Sequence, residues 1–221
     1  MKQFAFMYPI KEIFDVEIRN GAYTWQNPSQ EKEWLHKIAN ATSKKERGIV
    51  QDLAFQDKQK LFSRIYFDKL NQCIDERYRS NGFGITYITF NGSGIHNSVD
   101  MSPSDRILEV GIDYNTHRTE EKYPDPDYIL SQIGETEHLR MAGFHCNDCV
   151  KRVAERAYLK GIDVLVDEDL TEFFVNMFNA PGFKIGEYPS VDPRRFDTPS
   201  NDSISKEFFN SRKGRPWLWQ Y

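Results

Sequence analysis

The spacing of apolar and polar positions changes along the chain, and each change marks an element. Residues 3–8, QFAFMY, are an apolar run closed by Pro9, which cannot donate a ladder hydrogen bond, and predict a short buried strand. From Ser29 to about Ser80 the pattern turns helical. Leu53, Phe55, Leu61, Phe62, Ile65, Tyr66, Leu70 and Ile74 recur near three- and four-residue spacing with charges between them, giving one core-directed face. GFGITYITFNG (82–92), β-branched and aromatic between glycines, is the strongest strand signal, and RILEVGID (106–113) is a third strand. DPDYILSQI (125–133) predicts a helix, with an Asp-Pro pair at its entrance and Gly134 at its exit. Strand HLRMAG (138–143), helix 149–160 ended by Gly161, strand IDVLV (162–166) and helix DLTEFFVNMF (169–178) follow. Strands alternating with helices predict an α/β fold with a mostly parallel sheet flanked by helices in three layers. In such a fold 138–143 and 162–166 are parallel neighbours. From Gly186 onward Pro, Ser, Asp and Asn prevail, so the reading is one domain over 1–185 and a C-terminal extension over 186–221. That extension is expected to pack on the domain or a neighbouring subunit through the aromatics of PWLWQY.

Composition narrows the function classes. A chain of 221 residues can bury a core without disulfides. The 29 basic and 33 acidic residues leave a charge of −4 with no dense Lys/Arg block, which disfavours nucleic acid and anionic membranes as partners. The apolar N-terminal run is broken by Pro9 and Lys11, too early for a signal peptide, and no stretch approaches the ~20 apolar residues of a membrane span. Three cysteines, at 73, 146 and 149, argue against a secreted disulfide framework and for the cytoplasm.

Chemistry concentrates in GFHCNDCV, residues 143–150. After it, Val150, Val153, Ala154, Ala157 and Tyr158 form one apolar stripe of a helix that packs on the sheet. With Asn147 or Asp148 as N-cap, Cys149 falls in the first turn, where free N–H groups and the helix dipole favour a thiolate. The C-x-x-C pair admits four uses: corner packing, a nucleophile at Cys149, a redox pair, or metal binding with His145. Elsewhere, His96 is expected to be a solvated loop residue, and YPDPDY (123–128) a solvated turn feeding a helix. Asp167, Glu168 and Asp169 would sit at a helix N-terminus, where negative charge stabilises without any function. Cys73 would be a half-buried filler.

The segment resembles the isochorismatase-like cysteine hydrolases in the order Gly143, Cys149-Val150, Ala154, Ala157, Gly161, DVLV and Asp167. The resemblance implies a Cys149 nucleophile acting on a small amide, imine or ester, with an Asp after the first strand as base and a Lys after the third assisting. Tyr8 stands at the expected Asp position, and the nearest suitable acid is Asp15. Lys122 is the lysine of the later segment, while His117 and Arg118 lie nearer the expected place. The resemblance implies no cofactor and no metal, since the nicotinamidase Asp/His metal pattern is missing, and it favours a homo-oligomer. Two other readings stand beside it: a non-catalytic binding or assembly protein of the same fold, and a C-x-x-C thiol-disulfide oxidoreductase.

Overall fold

The computed structural model describes residues 1–25, 28–171, 182–188 and 214–218. Five parallel strands form one sheet: β1 (Lys2–Met7), β2 (Gly84–Thr89), β3 (Arg106–Glu109), β4 (His138–Gly143) and β5 (Asp163–Thr171), in the order β3-β2-β1-β4-β5. β1 is central, and Phe4 through Met7 are fully buried, as a strand covered on both faces requires. Its side chains alternate between the two faces. Phe4 stacks on Tyr78 at 4.0 Å, and Phe6 meets Phe14 of α1 (Lys11–Thr24) at 6.3 Å. Met7 points the other way, toward Ile129 of α5 (Pro126–Ile133) and Val153 of α6 (Lys151–Leu159). Helices therefore cover both faces, and the architecture is an α/β sandwich with an all-parallel sheet.

The long helical pattern resolves into α2 (Pro28–Ala39) and α3 (Lys44–Cys73). The break is local chemistry: the Ser43 side chain accepts from the Glu46 N–H at 3.1 Å, and Glu46 reaches back to the Thr42 N–H at 2.8 Å. α3 continues through a π-helical turn, Ile74–Tyr78. α4 (Tyr114–Glu120) follows β3, which is shorter than its apolar run. α5 begins as its sequence predicts, with Asp125 capping the Asp127 N–H at 2.9 Å and Pro126 in the first turn. β4 and β5 pair in parallel, from His138 with Asp163 to Met141 with Val166.

Two expectations are corrected. The helix expected at 169–178 does not begin there: β5 runs through Thr171, and 172–178 lie outside the described residues. Asp167, Glu168 and Asp169 are therefore buried strand residues, not solvated charges at a helix N-terminus. A distant cation makes this possible. Arg77, itself buried, lies 3.2 Å from Asp167 and 2.7 Å from Asp169, and the Tyr78 hydroxyl donates to Asp167. Burial, opposed by Arg77 and reinforced by Asp169, pushes the Asp167 carboxyl up to about 6. Cys73 beside this cluster is fully buried rather than half-buried. Arg77 also donates to the carbonyls of Lys184 and Ile185. Further on, the Val166 N–H donates to the Trp217 carbonyl at 2.8 Å, with Trp217 and Leu218 buried. Residues 182–188 and 214–218 thus lie against β5 and its neighbours, while Trp219 is outside the described residues. Among the described residues no helix is long and apolar enough to cross a membrane.

Candidate functional site

The sheet order creates a switch point. From β1 the chain builds outward to β2 and β3 on one side and places β4 and β5 on the other, so the crevice at the carboxyl ends of β1 and β4 is where α/β folds form ligand sites. Tyr8 follows β1 directly, with φ of 61° and its N–H held by the Ile88 carbonyl at 2.7 Å. Gly143 ends β4 at φ 112°, and a Cβ there would lie 2.1 Å from the Met7 carbonyl oxygen. Only glycine allows that approach. The chain then turns over the end of β1: the Phe144 N–H donates to Met7 at 3.2 Å, the Phe144–His145 peptide is cis, and a π-helical turn spans Cys146–Val150.

This brings Cys149 against Tyr8. Tyr8 is 1 % exposed and Cys149 3 %. The Tyr8 hydroxyl has no hydrogen-bond partner of ordinary geometry and faces the Cys149 thiol, which acts on it together with Asp148. The Tyr8 ring stacks on Phe90 at 4.2 Å, and His117 lies against Phe90 at 5.0 Å. His117 Nδ1 is held by the Lys122 carbonyl at 2.8 Å. Outside, the Arg152 guanidinium lies 4.0 Å over the Tyr123 ring and pairs with Asp148 at 3.0 Å. The space between these groups and Met7, Pro124, Ile129 and Val153 is nowhere wide enough for a water molecule.

Electrostatics follow from that enclosure. Burial first, then the Asp148 charge, pushes the Cys149 thiol up to about 12; the Tyr8 hydroxyl and Arg152 oppose them and lose. Burial also drives the Tyr8 phenol well above its ordinary value. At neutral pH both groups keep their protons. The first-turn expectation for Cys149 is thereby corrected. The turn begins three residues earlier with His145 at its cap, and the Asp148 and Val150 N–H groups are both taken by the His145 carbonyl, at 3.1 and 3.2 Å. A helix terminus contributes about 1 kcal/mol, less than one pKa unit, whereas full burial shifts a thiol by roughly 3 units or more. Burial wins.

Of the other residues singled out, Asp15 lies on α1, ion-paired with Lys11 at 2.5 Å, and lines a second, open cleft together with His96. Lys122 is exposed and meets His117 through its carbonyl. Neither is among the groups that act on the Cys149 thiol, which are Asp148, Tyr8 and Arg152. The Cys146 side chain lies outside the described residues, and among the described residues no group of His, Cys, Asp and Glu could hold a metal ion. His96 is half-buried rather than solvated, stacked on Phe67 at 4.6 Å. Sequence reasoning passed over Tyr123 and Arg152. The Cys149–Arg152 spacing of three residues was a usable signal, because it places both on one side of a helical turn.

No protein-family model, curated protein or solved structure matches this chain.

Proposed function

We propose that this chain is an isochorismatase-like α/β protein that works by binding, with Cys149 kept as a neutral thiol rather than an activated nucleophile. The carrying observation is the partner of that thiol. A cysteine hydrolase needs a group that accepts the thiol proton near working pH, and a buried phenol whose own pKa is raised cannot do so. Tyr8 stands where the resemblance places the base. The dry enclosure around Cys149 also leaves no volume for a substrate carbonyl. Thiolate absorbance near 240 nm, followed against pH in a variant whose other cysteines are serine, tests this reading. Cys149 is expected to stay protonated beyond pH 10, and a midpoint near 7 would overturn the proposal.

One observation favours a second reading, a hydrolase acting on a small amide, imine or ester: Cys149 occupies the switch-point crevice. In that reading Cys149 attacks, and Asp15 and Lys122 would have to reach it once the enclosure opens. Loss of turnover in Cys149→Ser, with Cys146→Ser largely active, is its signature. A cytoplasmic homo-oligomer with a small-molecule partner completes the proposal, and sedimentation of the purified chain tests the assembly.

A further inference from the structure

The second cleft, of about 660 Å³, opens beside β1 and β2, between α1, α3 and the loop that follows β2. That volume is in the range of small-molecule sites. α3 presents Lys60, Arg64 and Asp68 to it at four-residue intervals, one stripe of a helix. Arg64 and Asp68 are spaced for an intrahelical ion pair, yet neither has an ion-pair or hydrogen-bond partner among the described residues; nor does the Lys60 ammonium. Asp100, from the loop, also lines the cleft.

The wall carrying Asp100 is fixed in place. Asn71 clamps the loop to α3 from both ends of its amide, donating to the Ser98 carbonyl at 2.9 Å and accepting from the Asp100 N–H at 3.1 Å. Asp68 and Asp100 therefore mark one end of the cleft, near Asn71. Arg64 and Lys60 lie about one and two helical turns away, so along α3 the lining passes from anionic to cationic, while Asp15 of α1, paired with Lys11, lines the cleft as well. Its floor is aromatic. His96 lies flat on Phe67, 12° from parallel, and edge-on to Phe14. His96 Nδ1 accepts the Ser98 N–H at 3.1 Å, which leaves Nε2 as the protonated, donating nitrogen of the neutral ring. Burial lowers the His96 pKa and keeps the ring neutral. Phe14 also packs on Phe144 at 5.2 Å, so an aromatic wall separates this cleft from the Cys149 enclosure.

We propose that this cleft binds a small zwitterion of the amino-acid class. Its carboxylate lies toward Lys60 and Arg64, its ammonium toward Asp68 and Asp100, and its carbon skeleton on the Phe67–His96 stack. The inference names the ligand of the binding protein proposed above, and rests on that reading only in taking binding as the function. Fixed walls favour binding because little ordering is left to do when the ligand arrives.

The test uses the full chain and thermal-shift and calorimetric titrations with the common α-amino acids. Each is matched by its analogue lacking the amine and its analogue lacking the carboxylate. At least one zwitterion is expected to bind saturably, with both single-charge analogues about ten-fold weaker or worse. Arg64→Gln and Asp68→Asn should each weaken it by about ten-fold while leaving the unliganded melting temperature in place, because both side chains are exposed. Absence of saturable binding by any amino acid up to about 10 mM overturns the inference. Equal binding of the acid analogues, indifferent to Asp68→Asn, overturns it as well and marks an anion site. Cys149→Ser should retain the zwitterion, so failure here is distinct from an ionised Cys149, which would overturn the functional reading alone.

Discussion

The Tyr8 hydroxyl, buried at the carboxyl end of β1, faces the Cys149 thiol across the β1–β4 crevice without a hydrogen-bond partner of its own. Two residues 141 positions apart in the chain meet there because β1 and β4 are neighbours and Gly143 lets the turn after β4 fold over Met7. A buried polar group left unpaired costs about 1–3 kcal/mol, so the juxtaposition needs a reason beyond packing. Tyr8 lowers the thiol pKa, but burial and the Asp148 charge outweigh it.

Stability should fall in alkali. Cys149 and Cys73 are both raised from an ordinary value near 9 to about 12 by burial. Between those values the unfolded chain releases thiol protons that the folded chain retains, so unfolding is favoured as pH rises and the contribution is intact below about 9. Unfolding free energies from urea titrations at pH 8 and pH 10 should differ by about 1 kcal/mol per cysteine, and Cys149→Ala should remove its share of the difference.

Tyr123 and Arg152 close the Cys149 enclosure from outside. Tyr123→Ala should open it and raise the rate of Cys149 alkylation by iodoacetamide about ten-fold at pH 9, read site by site by mass spectrometry. An unchanged rate would show that access is limited elsewhere.

Gly143→Ala should be among the most damaging single changes. The added methyl collides with the Met7 carbonyl and the residue sits at φ 112°, so a loss of about 3 kcal/mol or more is expected in urea unfolding. Gly92→Ala, at φ 72° with open space around the new Cβ, should cost less.

Arg77→Met should destabilise by about 3–5 kcal/mol at pH 7, because it leaves Asp167 and Asp169 buried without a cation. The loss should shrink on mild acidification, since Arg77 is what holds the Asp167 pKa down, and without it Asp167 takes up a proton at a higher pH than in the parent protein, removing half of the uncompensated charge. Chemical denaturation at pH 5 and pH 7 measures the difference.

What was legible in the sequence is what local rules control. The runs 3–8, 82–92 and 138–143 became β1, β2 and β4: the first is apolar and closed by Pro9, the second is β-branched and aromatic between glycines, and the third ends at Gly143. Asp125-Pro126 started α5, and the Val153, Ala154 and Ala157 stripe packed α6 on the core. The parallel pairing of β4 with β5 follows from a helix between two strands. Three things were decided only in three dimensions. β5 extends through Asp167 and Asp169 because Arg77, ninety residues earlier in the chain, brings a buried counter-charge, and no local pattern announces that. Tyr8 rather than Asp15 meets Cys149, because the contact depends on which strands are neighbours. The environment of Cys149 is likewise tertiary: its position near a helix start favours a thiolate by less than one pKa unit, and burial among three separate segments pushes the thiol pKa the other way.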